Sequence, residues 1–222
     1  MARKSIIIYA SRTGNTEKVV NRFQEVFKKF AWECDLFKVD KSIDVKHTPI
    51  DLRPYDLVCV GSYVDKSLPS ERLIELLRYN PQDAHYNEKF HREGDPPITK
   101  VIGRIRLGPE SQKGIAFVTF AGDHFGYVEA EPALSLLESE LGHLQILCIG
   151  KFACPGPMKF PGVDQLERPP EEFQETVPSQ RPPFPPGHPP GKGYFKDIQQ
   201  RPHERDLLKA QIFLEEILET FD

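Results

Sequence analysis

The sequence has 222 residues, of which 39% are hydrophobic and 28% charged, and its formal net charge is −4 at pH 7. This length and apolar content suffice for one substantial core, so we expect a single domain over residues 1–222. This mild negative charge gives no electrostatic reason to bind polyanions, so we expect neither nucleic acid nor an anionic membrane as a partner.

The N-terminal sequence, the lengths of the apolar stretches and the spacing of the cysteines predict where the protein is located. No apolar stretch approaches the roughly 20 residues that span a bilayer, and Met1 to Lys4 lead straight into a predicted strand. These features predict a cytoplasmic protein without membrane insertion. The cysteines have no Cys-x-x-Cys spacing, which indicates buried apolar side chains and argues against disulfides and zinc. They are Cys34, Cys59, Cys148 and Cys154.

The first predicted elements are a strand and a helix. The β-branched run from Ile6 to Ile8 is too short for a helix and is typical of a strand buried on both faces of a parallel sheet. The stretch from Val19 to Phe30 then has the i, i+3, i+4, i+7 spacing of one buried helix face. Its apolar residues are Val19, Val20, Phe23, Val26, Phe27 and Phe30.

Between this strand and helix lies the segment Ser11-Arg12-Thr13-Gly14-Asn15-Thr16. Gly14 is free to take a positive φ and Asn15 tolerates one, so the loop can turn its backbone N–H groups inward. Those N–H groups and the helix dipole favour an anion at the helix N-terminus. The segment therefore predicts a phosphate-binding loop. The alternative is an ordinary strand-to-helix turn that is capped by Thr13 or Thr16.

Two further strands follow. Cys34 to Val39 alternates apolar and polar residues, which predicts a second strand at a sheet edge. Asp56 to Ser62 is apolar through its middle and predicts the third strand, whose Gly-Ser end lets a ligand approach the backbone. Residues 62–64 thus form a second candidate site loop. A helix opens at Pro69-Ser70-Glu71, with an apolar face made of Leu73, Ile74, Leu76 and Leu77.

The remaining regular elements repeat this alternation. Gly114 to Phe120 predicts the fourth strand, which runs into a third candidate site loop at Ala121 to Tyr127. Glu129 to Leu141 predicts a helix and Leu144 to Gly150 predicts the fifth strand. The last helix is predicted at residues 204–221, where one apolar face would close the sheet.

Two segments do not fit the alternation. Residues 80–113 are rich in charge and turn residues, and we interpret them as an insertion that is either a partner surface or a solvated decoration. Residues 151–203 form a Pro-rich strap, in which 12 of the 36 residues from Pro155 to Pro190 are prolines. The strap is either a polyproline docking surface or a stiff cover laid over the body.

The hydroxyl-rich loop after the first strand resembles the (Thr/Ser)-x-Thr-Gly-x-Thr loop by which flavodoxins hold the FMN phosphate. The loop lacks the Lys of a Walker motif and the Gly-x-Gly-x-x-Gly of a dinucleotide fold. This resemblance implies that FMN is the cofactor. Its phosphate would be held by Ser11, Arg12, Thr13, Gly14, Asn15 and Thr16.

In flavodoxins, the loops after the third and fourth strands flank the isoalloxazine ring. On this resemblance Tyr63 stacks on the ring, the alternative being a tyrosine that packs under its loop. Many flavodoxins have a glycine after the third strand, whereas residues 62–68 contain none. The implied ring contacts are Ser62, Tyr63 and Val64, then Thr119, Phe120, Ala121, Gly122 and Asp123, with Phe125 or Tyr127 as a stacking aromatic.

Strands that alternate with amphipathic helices predict an α/β fold with a doubly wound, five-stranded parallel sheet of strand order 2-1-3-4-5. The three candidate loops all follow strand C-termini. In such a sheet they meet in the crevice beside the first and third strands, where FMN lies in flavodoxins.

The function implied by the resemblance is electron transfer between a reductase and an acceptor enzyme, so the expected partners are redox proteins. Such a carrier needs no acid–base residue, and we predict no catalytic residue and no metal site. One alternative is an FMN-dependent NAD(P)H or quinone reductase. Another, of a different class, is a flavodoxin-fold interaction module without catalytic flavin. The oligomeric state stays open.

Overall fold

The computed structural model describes residues 3–45, 48, 50–52, 54–78, 112–121, 130–157 and 201–221. Over these residues strands and helices alternate along the chain. The strands are β1 (Lys4–Tyr9), β2 (Glu33–Lys38), β3 (Leu57–Asp65), β4 (Leu68–Pro69), β5 (Lys113–Ala121) and β6 (Leu147–Gly156). The helices are α1 (Asn15–Lys29), α2 (Glu71–Arg78), α3 (Glu131–His143) and α4 (Glu204–Glu219).

The sheet has the predicted doubly wound order. Its strands run β2-β1-β3-β5-β6, and every pair along this path is parallel. Counted among parallel strands alone, this is the order 2-1-3-4-5. The two-residue strand β4 is an addition, which pairs antiparallel with the end of β3. The order reverses between β1 and β3, so these two strands flank the topological switch point.

Side-chain alternation along the central strands produces two apolar layers. Ile7 and Tyr9 of β1 face α1 and α4, where Phe23 packs edge-on against Phe117 with ring centroids 5.0 Å apart. Ile6 and Ile8 face the opposite layer, which contains α2 and α3. The central strands are therefore apolar on both faces, which explains the continuous apolar runs in their sequences.

The third strand is longer than predicted. It continues to Asp65, so residues 62–64 lie in β3 and do not form a loop after it. The extension exists because Val64 and Asp65 pair with β4, and the strand ends only where the chain reverses. The second candidate site loop is thus the far end of a hairpin.

The fifth parallel strand was predicted too early. The α3 helix ends at His143 with Leu144 as its C-cap, and Gln145 has a φ of +59°, so the chain turns before β6 starts at Leu147. Pairing with β5 then continues to the pair of Ala121 and Gly156, which places residues 151–156 in the sheet and not in the strap. An edge strand tolerates Pro155 because its outer side needs no ladder hydrogen bond.

The two long segments leave the described body at opposite edges of the sheet. Residues 79–111 lie between Arg78, at the end of α2, and Gln112, just before β5 starts at the amino edge. Residues 158–200 lie between Pro157, after the carboxyl end of β6, and Arg201, just before α4. Most of the predicted insertion and of the predicted strap lies outside the described residues, and Lys113 belongs to β5.

Among the described residues, no helix combines the length and the apolarity that crossing a membrane requires.

Candidate functional site

The loop between β1 and α1 joins the sheet at the switch point. The Ala10 N–H group donates to the Gly61 carbonyl at 2.9 Å, which fixes the end of β1 beside β3. Gly14 is the N-cap of α1 with a φ of +85°, a left-handed conformation that favours glycine. The first helical turn closes with the Lys18 N–H group donating to the Gly14 carbonyl. The loop thus delivers the start of α1 to the carboxyl edge of the sheet.

Among the described residues, no side chain caps the N-terminus of α1. Thr13 and Thr16, the residues that would cap an ordinary turn, make other hydrogen bonds. The Thr13 hydroxyl accepts from Asn15 Nδ2 at 2.9 Å, and the Thr16 and Thr119 hydroxyls are hydrogen-bonded at 2.9 Å. The alternative of a turn capped by Thr13 or Thr16 is therefore wrong, and the first N–H groups of the helix keep no side-chain acceptor within the described part of the chain.

The Ser11 hydroxyl lacks a hydrogen-bond partner within the described part of the chain. Its Oγ atom is buried and has no hydrogen-bond partner among the described residues. A buried hydroxyl without a partner costs about 1 to 3 kcal/mol, so such groups in proteins normally serve a ligand, a water or an ion. With the uncapped start of α1 beside it, this donor set fits an anion with several oxygens, such as a phosphate monoester.

Charges around the loop are paired. Arg12 Nη1 lies 2.9 Å from Asp65 Oδ2, and the guanidinium lies 5.0 Å from the ring centroid of Tyr63. Glu17, the acidic residue in the first turn of α1, lies 2.9 Å from Lys38 Nζ. The local negative charge is thereby neutralised where an anion would bind.

Tyr9 also contacts Glu17. Its hydroxyl donates to Glu17 Oε1 at 3.3 Å. Burial, followed by the nearby Glu17 carboxylate, raises the pKa of Tyr9 above its ordinary value. The phenol therefore stays a neutral donor at neutral pH, and it adds no charge to the loop.

The three candidate residues of β3 take different positions. Ser62 is fully buried, where its hydroxyl donates to the Tyr63 carbonyl and accepts from the Ser70 N–H group, both at 2.8 Å. Its side chain thus joins β3 to the start of α2. Tyr63 and Val64 are half-buried. Tyr63 also pairs with Thr119 in the parallel register of β3 and β5.

The β5 residues divide in a similar way. Thr119 is buried, and its hydroxyl is hydrogen-bonded to that of Thr16 at the start of α1. Phe120 is buried in the core layer of α2 and α3, so its side chain points away from the loop's layer, whereas Ala121 is exposed. The remaining candidates lie outside the described residues: Gly122, Asp123, Phe125 and Tyr127.

The structure adds two residues that the sequence did not indicate. Gly156, at the end of β6, lies against the loop, because a Cβ atom added there would be 3.4 Å from Asn15 Nδ2. The sequence could have indicated Gly156 only as the last residue of the fifth parallel strand, and that strand was predicted to end at Gly150. Asp65 becomes a neighbour of Arg12 only because β3 continues into a hairpin.

Comparisons with known proteins agree with this geometry. Residues 6–80 match the model of the flavodoxin domain family. The flavodoxin-like domain-containing protein BilS of Clostridioides difficile (strain CD3) is 31% identical over 74 residues, a match that covers 33% of this chain and 39% of BilS. The family match supports a flavin-binding redox function.

Solved structures share the architecture at low identity. A flavodoxin, WrbA-like protein from Agrobacterium tumefaciens has a TM-score of 0.53 and 11% identity, with 99% of this chain and 98% of that chain covered. A flavone reductase has a TM-score of 0.54 and 8% identity, with 98% of this chain and 62% of that chain covered. Together with the sheet order and the match of residues 6–80 to the flavodoxin domain, these structures show that the chain has a flavodoxin-like fold.

Proposed function

We propose that this protein binds FMN, with the phosphate at the start of α1, and carries electrons between a reductase and an acceptor enzyme. One observation supports the cofactor most directly: the buried Ser11 hydroxyl has no partner among the described residues beside an N-terminus that no side chain caps. An anion that accepts these hydrogen bonds would satisfy both.

The loop can bind a phosphate without a dedicated cation. Because the Thr13 hydroxyl accepts from Asn15 Nδ2, its own proton is free to donate outward. The Ser11 hydroxyl and the first N–H groups of α1 supply further donors. Asn15 thus has an indirect role in this proposal, since its amide orients the Thr13 hydroxyl.

The ring subsite would lie at the carboxyl ends of β3 and β5. Tyr63, Val64 and Ala121 are accessible there, while the hydrogen bond between Thr119 and Thr16 joins β5 to the start of α1. Stacking of an aromatic on the ring contributes about 0.5 to 1.5 kcal/mol beyond buried area. The bound flavin would supply the redox chemistry, and the chain would bind it, orient it and set its surroundings. Contacts from Gly122, Asp123, Phe125 and Tyr127 are part of the same proposal.

A titration with FMN and with riboflavin tests the phosphate assignment, because riboflavin lacks only the phosphate. We expect the Thr13→Ala, Asn15→Ala double variant to lose most of the affinity for FMN, by tenfold or more, while its weaker affinity for riboflavin changes little. Thr220→Ala is a matched control, since this hydroxyl is exposed near the end of the chain and bonds to the Glu216 and Ile217 carbonyls. Equal FMN affinity in the double variant and the wild type would refute the phosphate loop.

The same preparation separates the carrier from the alternatives. In a carrier, the bound flavin is reduced by a reductase or by dithionite, and NAD(P)H alone reduces it slowly. Rapid reduction by NAD(P)H would instead establish the FMN-dependent reductase. A protein that binds no flavin would leave the interaction module as the remaining proposal.

A further inference from the structure

Arg12 belongs to the phosphate loop but interacts with the hairpin of β3 and β4. Its Nη1 atom lies 2.9 Å from Asp65 Oδ2, and its guanidinium lies 5.0 Å from the Tyr63 ring centroid. The ion pair is half-exposed, with 60% and 50% of the two side chains accessible. The arginine is therefore already matched to a carboxylate and an aromatic face, and it does not lie at the start of α1 as an unpaired cation.

The hairpin needs such support from outside. Asp65 pairs with Leu68, so the turn contains only two residues, Lys66 and Ser67. Both have left-handed backbones, with φ values of +51° and +64°. This conformation at both central positions defines a type I′ turn, for which Asn-Gly or Asp-Gly is strongly preferred. Lysine and serine disfavour it, so the surrounding contacts must hold the turn in place.

Arg12 is the contact that joins this turn to the phosphate loop. Among the described residues, Asp65 forms its ion pair with Arg12 immediately before the two left-handed positions. The same guanidinium covers one face of Tyr63, the residue of β3 expected beside the flavin ring. One side chain thus fixes both the turn and the ring of Tyr63.

We propose that Arg12 is a positioning residue for the ring subsite and not a phosphate ligand. This inference rests on the proposed function, because it presumes that the hairpin contacts a flavin. In this role Arg12 holds Tyr63 and the hairpin in the arrangement that the isoalloxazine ring requires. Its charge is neutralised by the ion pair with Asp65, and the phosphate is bound by hydroxyl and N–H groups.

The two roles predict opposite patterns in a riboflavin and FMN titration. A positioning role predicts that Arg12→Gln lowers the affinity for both flavins by the same factor, about three- to tenfold as expected for a half-exposed ion pair and cation–π contact. Asp65→Asn should then lower the affinity for both flavins as well, and the double variant should be no worse than Arg12→Gln alone. A phosphate ligand predicts a loss for FMN only, with Asp65→Asn neutral or favourable.

A rescue experiment tests the mechanism of positioning. Lys66→Asn with Ser67→Gly installs the residues that a type I′ turn prefers, so the turn no longer depends on outside contacts. Added to Arg12→Gln, this pair should restore most of the affinity for both flavins, together with the spectral shift of the bound ring. Failure of the rescue, or a loss confined to FMN, would overturn the proposal.

Hydrogen exchange without flavin keeps the inference separate from the proposed function. The hairpin amides should exchange faster in Arg12→Gln than in the wild type, and the Lys66→Asn, Ser67→Gly pair should slow them again. Unchanged exchange in Arg12→Gln would overturn the positioning role even if FMN binds. A wild-type protein that binds neither flavin would refute the proposed function and with it the ring subsite, while the exchange data would still decide whether Arg12 holds the hairpin.

Discussion

At the scale of single residues, the site depends on close approaches that only certain side chains allow. Gly61 is the clearest case. It lies in β3, accepts the Ala10 N–H hydrogen bond and packs under Phe117, where an added Cβ atom would lie 2.0 Å from Cζ. The Phe117 ring of β5 can therefore lie over β3 next to the switch point only because this position has no side chain.

Gly61→Ala should therefore destabilise the fold by about 1 to 3 kcal/mol, the usual cost of overpacking a core. Gly142→Ala is the matched control, because it lies in the last turn of α3 with nothing within 4 Å of an added Cβ. That change should stabilise the protein by about 0.5 to 1 kcal/mol, since alanine is the better helix former. Urea unfolding measures both, and equal effects of the two substitutions would contradict this account of Gly61.

The turn from β1 into α1 was predictable from sequence because it is local. The hydroxyls, Gly14 and the amphipathic helix all lie within one continuous stretch, and each has a direct chemical meaning. The Arg12 contact with Asp65 was not predictable, because it depends on how far β3 runs before the chain reverses. The unpartnered Ser11 hydroxyl likewise depends on packing and not on pattern.

At the scale of elements, an ion pair between an exposed arginine and a buried glutamate joins α2 to α3. Arg78 donates to Glu140 Oε1 from Nε at 2.9 Å and from Nη2 at 2.7 Å. Glu140 is 1% exposed, whereas the Arg78 side chain is 53% exposed. The pair closes the α2 and α3 layer at the amino edge, at the point where the segment of residues 79–111 begins.

Arg78→Gln should cost about 1 to 3 kcal/mol, because it leaves the Glu140 carboxylate buried without its charged partner, and half-exposure of the arginine lowers the full penalty of a buried pair. Lys151→Gln is the control. Lys151 lies 3.0 Å from Glu138 and 3.3 Å from Glu131 in partly exposed pairs, so its loss should cost less than 1 kcal/mol. Chemical denaturation would contradict this account if the two variants lost the same stability.

Elements with strong periodicity were predicted closely, and boundaries set by long-range pairing were not. The α1 helix and the β1 strand follow from side chains that are buried as their spacing indicates. The start of β6 was misplaced because Leu144 and Ile146 are apolar and buried yet lie in the turn after α3. Only pairing with β5 determines that the strand runs from Leu147 to Gly156.

At the scale of the whole molecule, the last helix, α4, packs beside the first helix, α1, on one face of the sheet. Arg22 of α1 donates to Gln211 at 3.1 Å and to Glu204 at 2.7 Å, both in α4. Behind them, Cys154 of β6 is buried in the same apolar layer. The α4 helix therefore covers the same face of the sheet as α1.

Burial of proton-bearing groups makes the stability of the fold depend on alkaline pH. Burial, followed by the Asp206 charge, raises the pKa of Cys154 to about 12. Burial and the hydrogen bond to Asp35 raise the pKa of Tyr55 to about 12 as well. Between the unfolded and folded pKa values the folded state keeps a proton that the unfolded chain has lost. Stability is therefore full below about pH 8.5 and falls as the pH rises towards 12.

Cys154→Ala should reduce this pH dependence. The substitution costs stability at every pH, but the drop in the free energy of unfolding from pH 8 to pH 10.5 should shrink by about 2 to 3 kcal/mol, since one titrating group is removed. Urea titrations at the two pH values provide the comparison. A drop of the same size in the variant and the wild type would contradict the buried, protonated state of Cys154.

The visible absorbance spectrum of the purified protein, recorded before and after FMN is added, tests the central claim most directly. Within the described part of the chain, a helix N-terminus without a side-chain cap and a buried hydroxyl without a hydrogen-bond partner lie at the switch point of a flavodoxin-like sheet. We predict a flavin spectrum, either from the start or after FMN is added, that shifts on binding and persists through gel filtration. A protein that is colourless after incubation with excess FMN and removal of free FMN by gel filtration would contradict the proposed function.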